Sequence, residues 1–399
     1  MHVCHVITRL ILGGAQENTL LTCEGLHARG HEVTLITGPA LGPEGQLMDR
    51  AQAGGYRLIV IPQMRRAINV WRDTASRRRL VGTFHEIRPD IMHSHSSKAG
   101  ILARWAAAKA GGIKIVHTIH GLPFHPYQSS WLNRLYAALE SRAARRSDAL
   151  ISVANAMTAQ ALAAGVGRPQ QYTTIYSGME LAPFVSRPTL GDQFRSAMNL
   201  PRNSILVTQV SRLAELKGHE YILAAAERIT DKRVHFCFVG DGTQRRRFET
   251  RIARSPLADR FHLTGLLPPA QIPAVMHATD VLVHCSLREG LPRAVPQAML
   301  ARRPVVGFDV DGAREVIDAD TGILLPAKDV AGLQLAIETL ARSPELRARL
   351  GAAGRQRCRQ MFDHNLMVDK IEELYLGLLQ PAAGRAGAAA LGGRNGHSG

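Results

Sequence analysis

The stretch "SGMELAPFVSRPTLGDQFRSAMNLPRN", Ser177 to Asn203, interrupts an otherwise regular pattern, and its reading decides the fold. It holds three prolines (Pro183, Pro188, Pro201) and little strand pattern. It reads as a linker followed by a short helix. On its N-terminal side, β-type runs at 2–7, 32–37, 57–61, 90–95, 114–119, 149–153 and 172–176 alternate with helical patterns. Beyond it the alternation restarts, with strands predicted at 204–210, 234–240, 260–265, 280–285, 303–308 and 321–325. Such alternation means β-α-β units and a parallel sheet. One break near the middle means two sheets. A chain of 399 residues also exceeds what a single core holds. The fold class is therefore α/β, with two Rossmann-like doubly wound parallel-sheet domains facing a cleft. The expected limits are 1–183 and 184–362, then an amphipathic helix over 363–380 with Asp363 as N-cap. The Gly/Ala-rich end, 381–399, reads as a disordered tail.

Composition narrows the function classes. Apolar residues make up 45% of the chain, and no apolar run is long enough to span a bilayer. The N-terminus "MHVCHVITRLILGGAQ" reads as a first strand and not a signal peptide, because Arg9 splits its apolar run. Five scattered cysteines without a C-x-x-C suit a reducing cytosol and argue against a zinc site or disulfide framework. The expected location is the cytoplasm, including the inner face of a membrane. Net charge is +16, spread over both halves: 20 basic against 11 acidic residues in 1–183, and 26 against 18 in 184–362. One run is dense: "MRRAINVWRDTASRRR" carries six arginines and one aspartate between Arg65 and Arg79. It suits anionic lipid headgroups, a phosphorylated acceptor or nucleic acid, and equally a solvated helix face. Aromatic content of 5% and the lack of a recognition motif argue against nucleic acid.

Ligands of open parallel sheets bind beyond the carboxyl ends of the strands, so residues just after strands are the candidates. In "LILGGAQENTLL", Gly13 and Gly14 allow close backbone approach at a helix start, where free N–H groups favour anionic oxygen. The pattern lacks the dinucleotide fingerprint, and taken alone the glycines are better explained by a tight turn. "VSRLAELKGHEYIL" places Arg212 and Lys217 in one loop, a pair of cations suited to a diphosphate. "FVGDGTQRR" puts Gly240 and Gly242 at another strand end, and "HLTGLLPPAQIP" puts Leu266 at a third. His120 follows the fifth strand. "SLREGLPRAVPQAML" holds Glu289 in a turn and Gln297 eight residues later. Two patterns look metal-like without being so: "DVD" (Asp309, Asp311) is a three-letter match in a chain with 33 acids, and "HSH" (His93, His95) lacks further ligands of suitable spacing.

The ordered set of "GGAQ" at 13–16, "HG" at 120–121, "SRLAELKG" at 211–218, "VGDG" at 239–242, "TGLL" at 264–267, "SLREGLPRAVPQAMLARRPVV" at 286–306 and "DGAREVI" at 311–317 resembles the retaining, GT-B-fold sugar transferases of the large family four (glycosyl transferases group 1). The resemblance covers about residues 1–380. It implies a helix over 363–379 that crosses back onto the first domain. It also implies that Arg212 and Lys217 hold a donor diphosphate, that Glu289 holds donor-sugar hydroxyls, and that His120 lies near the transferred sugar. Gly290, Leu291, Pro292, Arg293 and Ala294 would lie against sugar and phosphate, Gln297 against the ribose, and Gly13 and Gly14 against the donor from the other side. Gly240 and Gly242 would line the nucleotide, and Leu266 the base. The implied activity is retaining, metal-independent transfer from a nucleotide sugar, expected to be a UDP-sugar, to a glycan or lipid-linked acceptor in polysaccharide, lipopolysaccharide or glycolipid synthesis. No cofactor, metal or nucleic acid is expected. The alternatives are a non-catalytic sugar-nucleotide-binding protein and a GT-B-fold sugar epimerase. The chain departs from the family in having Gln297 in place of glutamate and Pro292 where glycine is frequent. Pro296 is comfortable only in a helix's first turn, which predicts a helix start near 293–294.

Overall fold

A computed structural model describes residues 1–41, 45–186 and 189–380. The tail expected to be disordered, 381–399, lies outside them. Among the described residues thirteen strands form, each within two residues of its expected limits: β1 (His2–Ile7), β2 (Glu32–Thr37), β3 (Arg57–Val60), β4 (Ile91–His95), β5 (Lys114–Ile119), β6 (Ala149–Ser152) and β7 (Tyr172–Thr174), then β8 (Ile205–Val210), β9 (Val234–Val239), β10 (Phe261–Gly265), β11 (Val281–His284), β12 (Val305–Phe308) and β13 (Gly322–Leu325). They pair as two wholly parallel sheets, β3-β2-β1-β4-β5-β6-β7 and β10-β9-β8-β11-β12-β13. Winding reverses between β1 and β4 in the first sheet, and between β8 and β11 in the second. Loops leaving those neighbouring strands turn to opposite faces and open a crevice at their carboxyl ends.

Strands covered on both faces read as continuous apolar runs. VHFCFV in β9 is buried throughout. β1 and β4 depart from this rule, because His5, His93 and His95 are also fully buried. The parallel register sets His5 opposite His93.

The linker holds two short helices instead of the one expected. Pro183 stands in the first turn of Ala182–Val185, where its missing N–H costs no hydrogen bond. The second, Thr189–Ala197, belongs to the second sheet, because Arg195 donates to the Ala278 carbonyl at 2.8 Å and pairs with Asp280 at 3.0 Å. The chain crosses between the lobes twice, and the crossings lie side by side. Met179 N–H donates to Phe362 O at 2.8 Å, and His364 N–H donates to Met179 O at 3.2 Å. Gly178 leaves no room there: a Cβ would lie 2.5 Å from His364 Cα.

The second crossing leads into the helix His364–Leu379, capped by Asp363, whose carboxylate accepts from Asn365 N–H at 2.8 Å. Its apolar stripe of Met367, Val368, Ile371, Tyr375 and Leu378 is buried in the core of the first lobe, against the helix Gly14–Ala28. Burying five such side chains contributes on the order of 10 kcal/mol. The C-terminal helix therefore fastens the second lobe's chain end to the first lobe. Arg29 adds ion pairs to Asp369 and Glu372 at the rim, which contribute little by comparison.

Candidate active site

Two loops at the switch point of the second sheet bring a cation and an acid together. Segment 211–218 leaves β8 and must turn sharply to start the helix His219–Ala226. Leu216 adopts φ +64° and Gly218 φ +75°. A Cβ on Gly218 would sit 1.9 Å from the Cys285 carbonyl oxygen. Left-handed backbone at a residue such as Leu216 costs on the order of 1–2 kcal/mol, and such strain collects at functional sites. The turn delivers Lys217 Nζ to Glu289 Oε1 at 2.5 Å. Glu289, in the loop after β11, donates its N–H to Asp311 Oδ2 at 2.7 Å, and His284 Nε2 stands 3.5 Å from Oε1. Burial pushes the Glu289 carboxyl up, but the Lys217 ammonium and His284 outweigh it and hold the group well below the usual carboxylate range. The Arg212 guanidinium is exposed and, among the described residues, paired with nothing.

These groups line a cleft of about 460 Å³, with His120 and Tyr127 of the first lobe opposite Arg212, Lys217, Glu289 and Asp311. The lobes touch tightly around it. Glu315 of the second lobe accepts from the N–H groups of Asn155 and Ala156, both at 2.8 Å, at the start of the first-lobe helix Asn155–Ala163. That is an anionic cap supplied across the interface. Gln160 donates to Asp311 Oδ1 at 2.8 Å, and Arg288 donates to the Leu122 carbonyl. Gly290 lies directly on His120: a Cβ would be 2.1 Å from the His120 carbonyl oxygen. Backbone cannot yield there, so Gly290→Ala must part the lobes. We expect that variant to fold but to lose about 10²-fold in kcat/KM, since displacing reacting groups by an ångström costs about that much. Steady-state kinetics beside an unchanged circular dichroism spectrum checks it.

Residues 192–357 match the family model described as glycosyl transferases group 1, and residues 13–178 match a glycosyl transferase 4-like domain. A 2-deoxystreptamine glucosyltransferase of Streptomyces kanamyceticus is 32% identical over 272 residues, 64% of this chain and 70% of that protein. The chain belongs to the group 1 glycosyltransferases. Over greater length, the transferase is 28% identical to the UDP-Gal:alpha-D-GlcNAc-diphosphoundecaprenol alpha-1,3-galactosyltransferase of Escherichia coli, across 94% of this chain and 97% of that one. Its fold matches the GT-B architecture of Anabaena HepE, solved with UDP-glucose, at a TM-score of 0.82 and 22% identity over 94% of this chain and all of the other.

Of the residues singled out in the sequence, His120, Arg212, Lys217, Glu289 and Gly290 share the transferase's cleft. The others lie around it. Gly14 packs on Arg293, where a Cβ would meet Cδ at 2.5 Å, whereas Gly13 is extended (φ 175°) and its position does not demand glycine. Arg293 joins the lobes, donating to Glu17 at 2.8 Å and to the Gly178 carbonyl at 3.0 Å. Leu291 and Pro292 are buried. Ala294 opens the helix Ala294–Leu300, the start that Pro296 required. Gly240 and Gly242 do not line the cleft. They seat the Arg212 loop, since Cβ atoms there would lie 2.1 Å from Ser211 O and 2.4 Å from Leu213 O. Leu266 is 43% exposed and stands outside the cleft. Gln297 opens on a second cavity, of about 520 Å³, bounded also by Glu17, Arg293 and Pro268 and sharing no wall residue with the first.

Two sequence patterns take on a structural role. Asp309 and Asp311, set aside as a chance pattern, both line the cleft. Asp309 is paired with Arg314, while Asp311 holds the Glu289 backbone. The missing partner of His93 and His95 is His5, brought in by strand pairing from far away in the chain, so that one ring nitrogen from each of the three lies within 4.8 Å of the other two. Arg288 and Gln160 also line the cleft, and His284 stands behind Glu289. Only Arg288, adjacent to Glu289, had a signal in the sequence.

Proposed function

We propose that the cleft transfers a sugar with retention, and without a metal, from a nucleotide diphosphate donor to a glycan or lipid-linked acceptor. The observation that carries this reading is the Lys217–Glu289 pair beside an unpartnered Arg212, facing His120 across the cleft. Donor binding gives the Lys217 ammonium and the Arg212 guanidinium a diphosphate to hold, and leaves Glu289 to accept hydrogen bonds from sugar hydroxyls. The anomeric C–O bond breaks with its electron pair passing to the departing phosphate oxygen. The acceptor hydroxyl attacks the same face, and its proton goes to that phosphate oxygen. The two cations stabilise the charge developing on the leaving group. Asp309 and Asp311 are already committed to Arg314, Gln160 and the Glu289 N–H, which favours these cations over a carboxylate-held metal for that task.

The E. coli relative uses UDP-galactose by its name, and HepE holds UDP-glucose, so a UDP-sugar is the favoured donor. Thermal shifts with UDP-, GDP- and ADP-sugars test it, because a ligand bound to the folded state raises its stability. The UDP-sugar should raise Tm most, and no shift with any donor overturns the reading. Turnover in EDTA and the anomeric coupling of the product test the other two features. Gln297 faces the second cavity beside the Arg293–Glu17 pair, and its proposed partner is the donor ribose. Gln297→Glu is accordingly expected to change donor KM and leave kcat near wild type. If Gln297→Glu were to switch on an otherwise silent protein, the assignment of an active site here would fall.

The acceptor side carries a further proposal. No helix among the described residues is long and apolar enough to cross a membrane. Yet Ile68 (74%), Val70 (74%) and Trp71 (85%) stand exposed among Arg65, Arg66 and Arg72. A merely solvated face would not combine those apolar side chains with the arginines. An anionic lipid surface satisfies both. Salt-sensitive sedimentation with phosphatidylglycerol vesicles, lost in Trp71→Ala and absent with DNA, is the expected result.

A further inference from the structure

Behind His120 a line of imidazoles runs into the first sheet. His120 Nε2 lies 3.1 Å from His95 Nδ1, and His95 Nε2 lies 3.0 Å from His5 Nδ1. The rings are stacked, with centroids 5.4 and 5.3 Å apart. His5 and His95 are fully buried, and His5 Nε2 ends the line with no partner. At the other end His120 lines the cleft, and its Nδ1 makes no hydrogen bond among the described residues. His93 stands beside this line but is not a link in it. Its nitrogens face Tyr375 Oη at 2.5 Å and Thr118 Oγ1 at 2.7 Å.

A neutral imidazole has one N–H and one acceptor nitrogen. In an unbroken line of three, choosing one proton position fixes the others. Either every N–H points from His120 toward His5, or every one points the other way. The free end decides between them. Pointing inward would strand an N–H at His5 Nε2 in the core, whereas pointing outward leaves only a lone pair there. Buried orphan donors are rarer than under-satisfied acceptors. We propose that His95 and His5 are positioning residues that hold His120 as its Nδ1–H tautomer, so that it presents a hydrogen-bond donor to an oxygen of the bound sugar or phosphate. This inference rests on the cleft being the donor site. Burial also keeps the line neutral, with His5 and His120 lowered to about 3.

Nitrogen-15 NMR of histidine-labelled protein reads the tautomer directly, without substrate, and so independently of whether the sugar-transfer reading is right. The wild type should show His120 protonated at Nδ1, and protonation at Nε2 overturns the proposal. His5→Asp puts a carboxylate acceptor where His5 donates, which draws the His95 N–H inward to Nε2 and should turn His120 to the Nε2–H form. Kcat should then fall about 10-fold, the worth of one hydrogen bond, with donor KM nearly unchanged. His5→Asn offers an amide donor at the same place and should keep both the Nδ1–H signal and kcat. If His5→Asp does not fold, the wild-type and His5→Asn spectra still decide. An unchanged tautomer in a folded His5→Asp protein would show that the line does not set it.

Discussion

Lys217→Ala is expected to lower kcat/KM on the order of 10³-fold, more than Arg212→Ala, which should cost on the order of 10²-fold and mainly in kcat. Both variants remove a cation from the place where leaving-group charge would develop. The difference lies in what each leaves behind. Arg212 is exposed and unpaired, so its loss strands nothing. Lys217 is the partner that holds Glu289 in its carboxylate form against burial. Without it the Glu289 carboxyl moves up, with His284 alone opposing burial, and it loses the partner that fixes its oxygen in the cleft. One substitution thus disables two groups. The double variant Lys217→Ala/Glu289→Gln should recover thermal stability relative to Lys217→Ala while recovering no activity. Arg212→Ala at the wild-type rate would remove that residue from the mechanism.

Mild acid should destabilise the first lobe. His5 is lowered to about 3, and His93 and His95 well below the ordinary value, chiefly by burial. These rings are neutral when folded, but the unfolded chain takes up their protons as pH falls through about 6.5. The unfolded state then binds more protons, so the stability present above 6.5 is lost as pH drops toward the folded values. For three such rings the loss between about pH 7.5 and 5.5 is about 4 kcal/mol, or about 10 °C in Tm. The depressed carboxyl of Glu289 acts in a separate window, losing its contribution only below about pH 4.5. Scanning calorimetry at the two pH values checks the prediction, and a flat Tm would show that the folded stack accepts protons at no cost.

Strand positions were legible because parallel strands covered on both faces leave long apolar runs, as VHFCFV does. The Arg212–Lys217 loop and Glu289 were legible because they follow strands on either side of a winding reversal. What escaped depends on contacts between distant segments. Nothing near Glu315 in sequence marks it as the cap of a helix 160 residues earlier. Asp311 looked uninformative because its role, bracing the Glu289 backbone, exists only once two loops meet. Gly240 and Gly242 carry the expectation of lining a nucleotide, whereas in the structure they pack on the 211–213 backbone, a contact that exists only once the two loops meet. His5 could be joined to His93 and His95 only by knowing which strands pair.

The paired backbone crossings at Met179 and Phe362–His364 set how the enzyme breathes. A lone tether would let the lobes swivel and slide. Two tethers laced together resist torsion and leave one compliant direction, a bend about their shared line. Opening is then an arc with little freedom to wander. An opening of that kind would bring Glu289 and His120 back to the same meeting point, with no re-search over orientations.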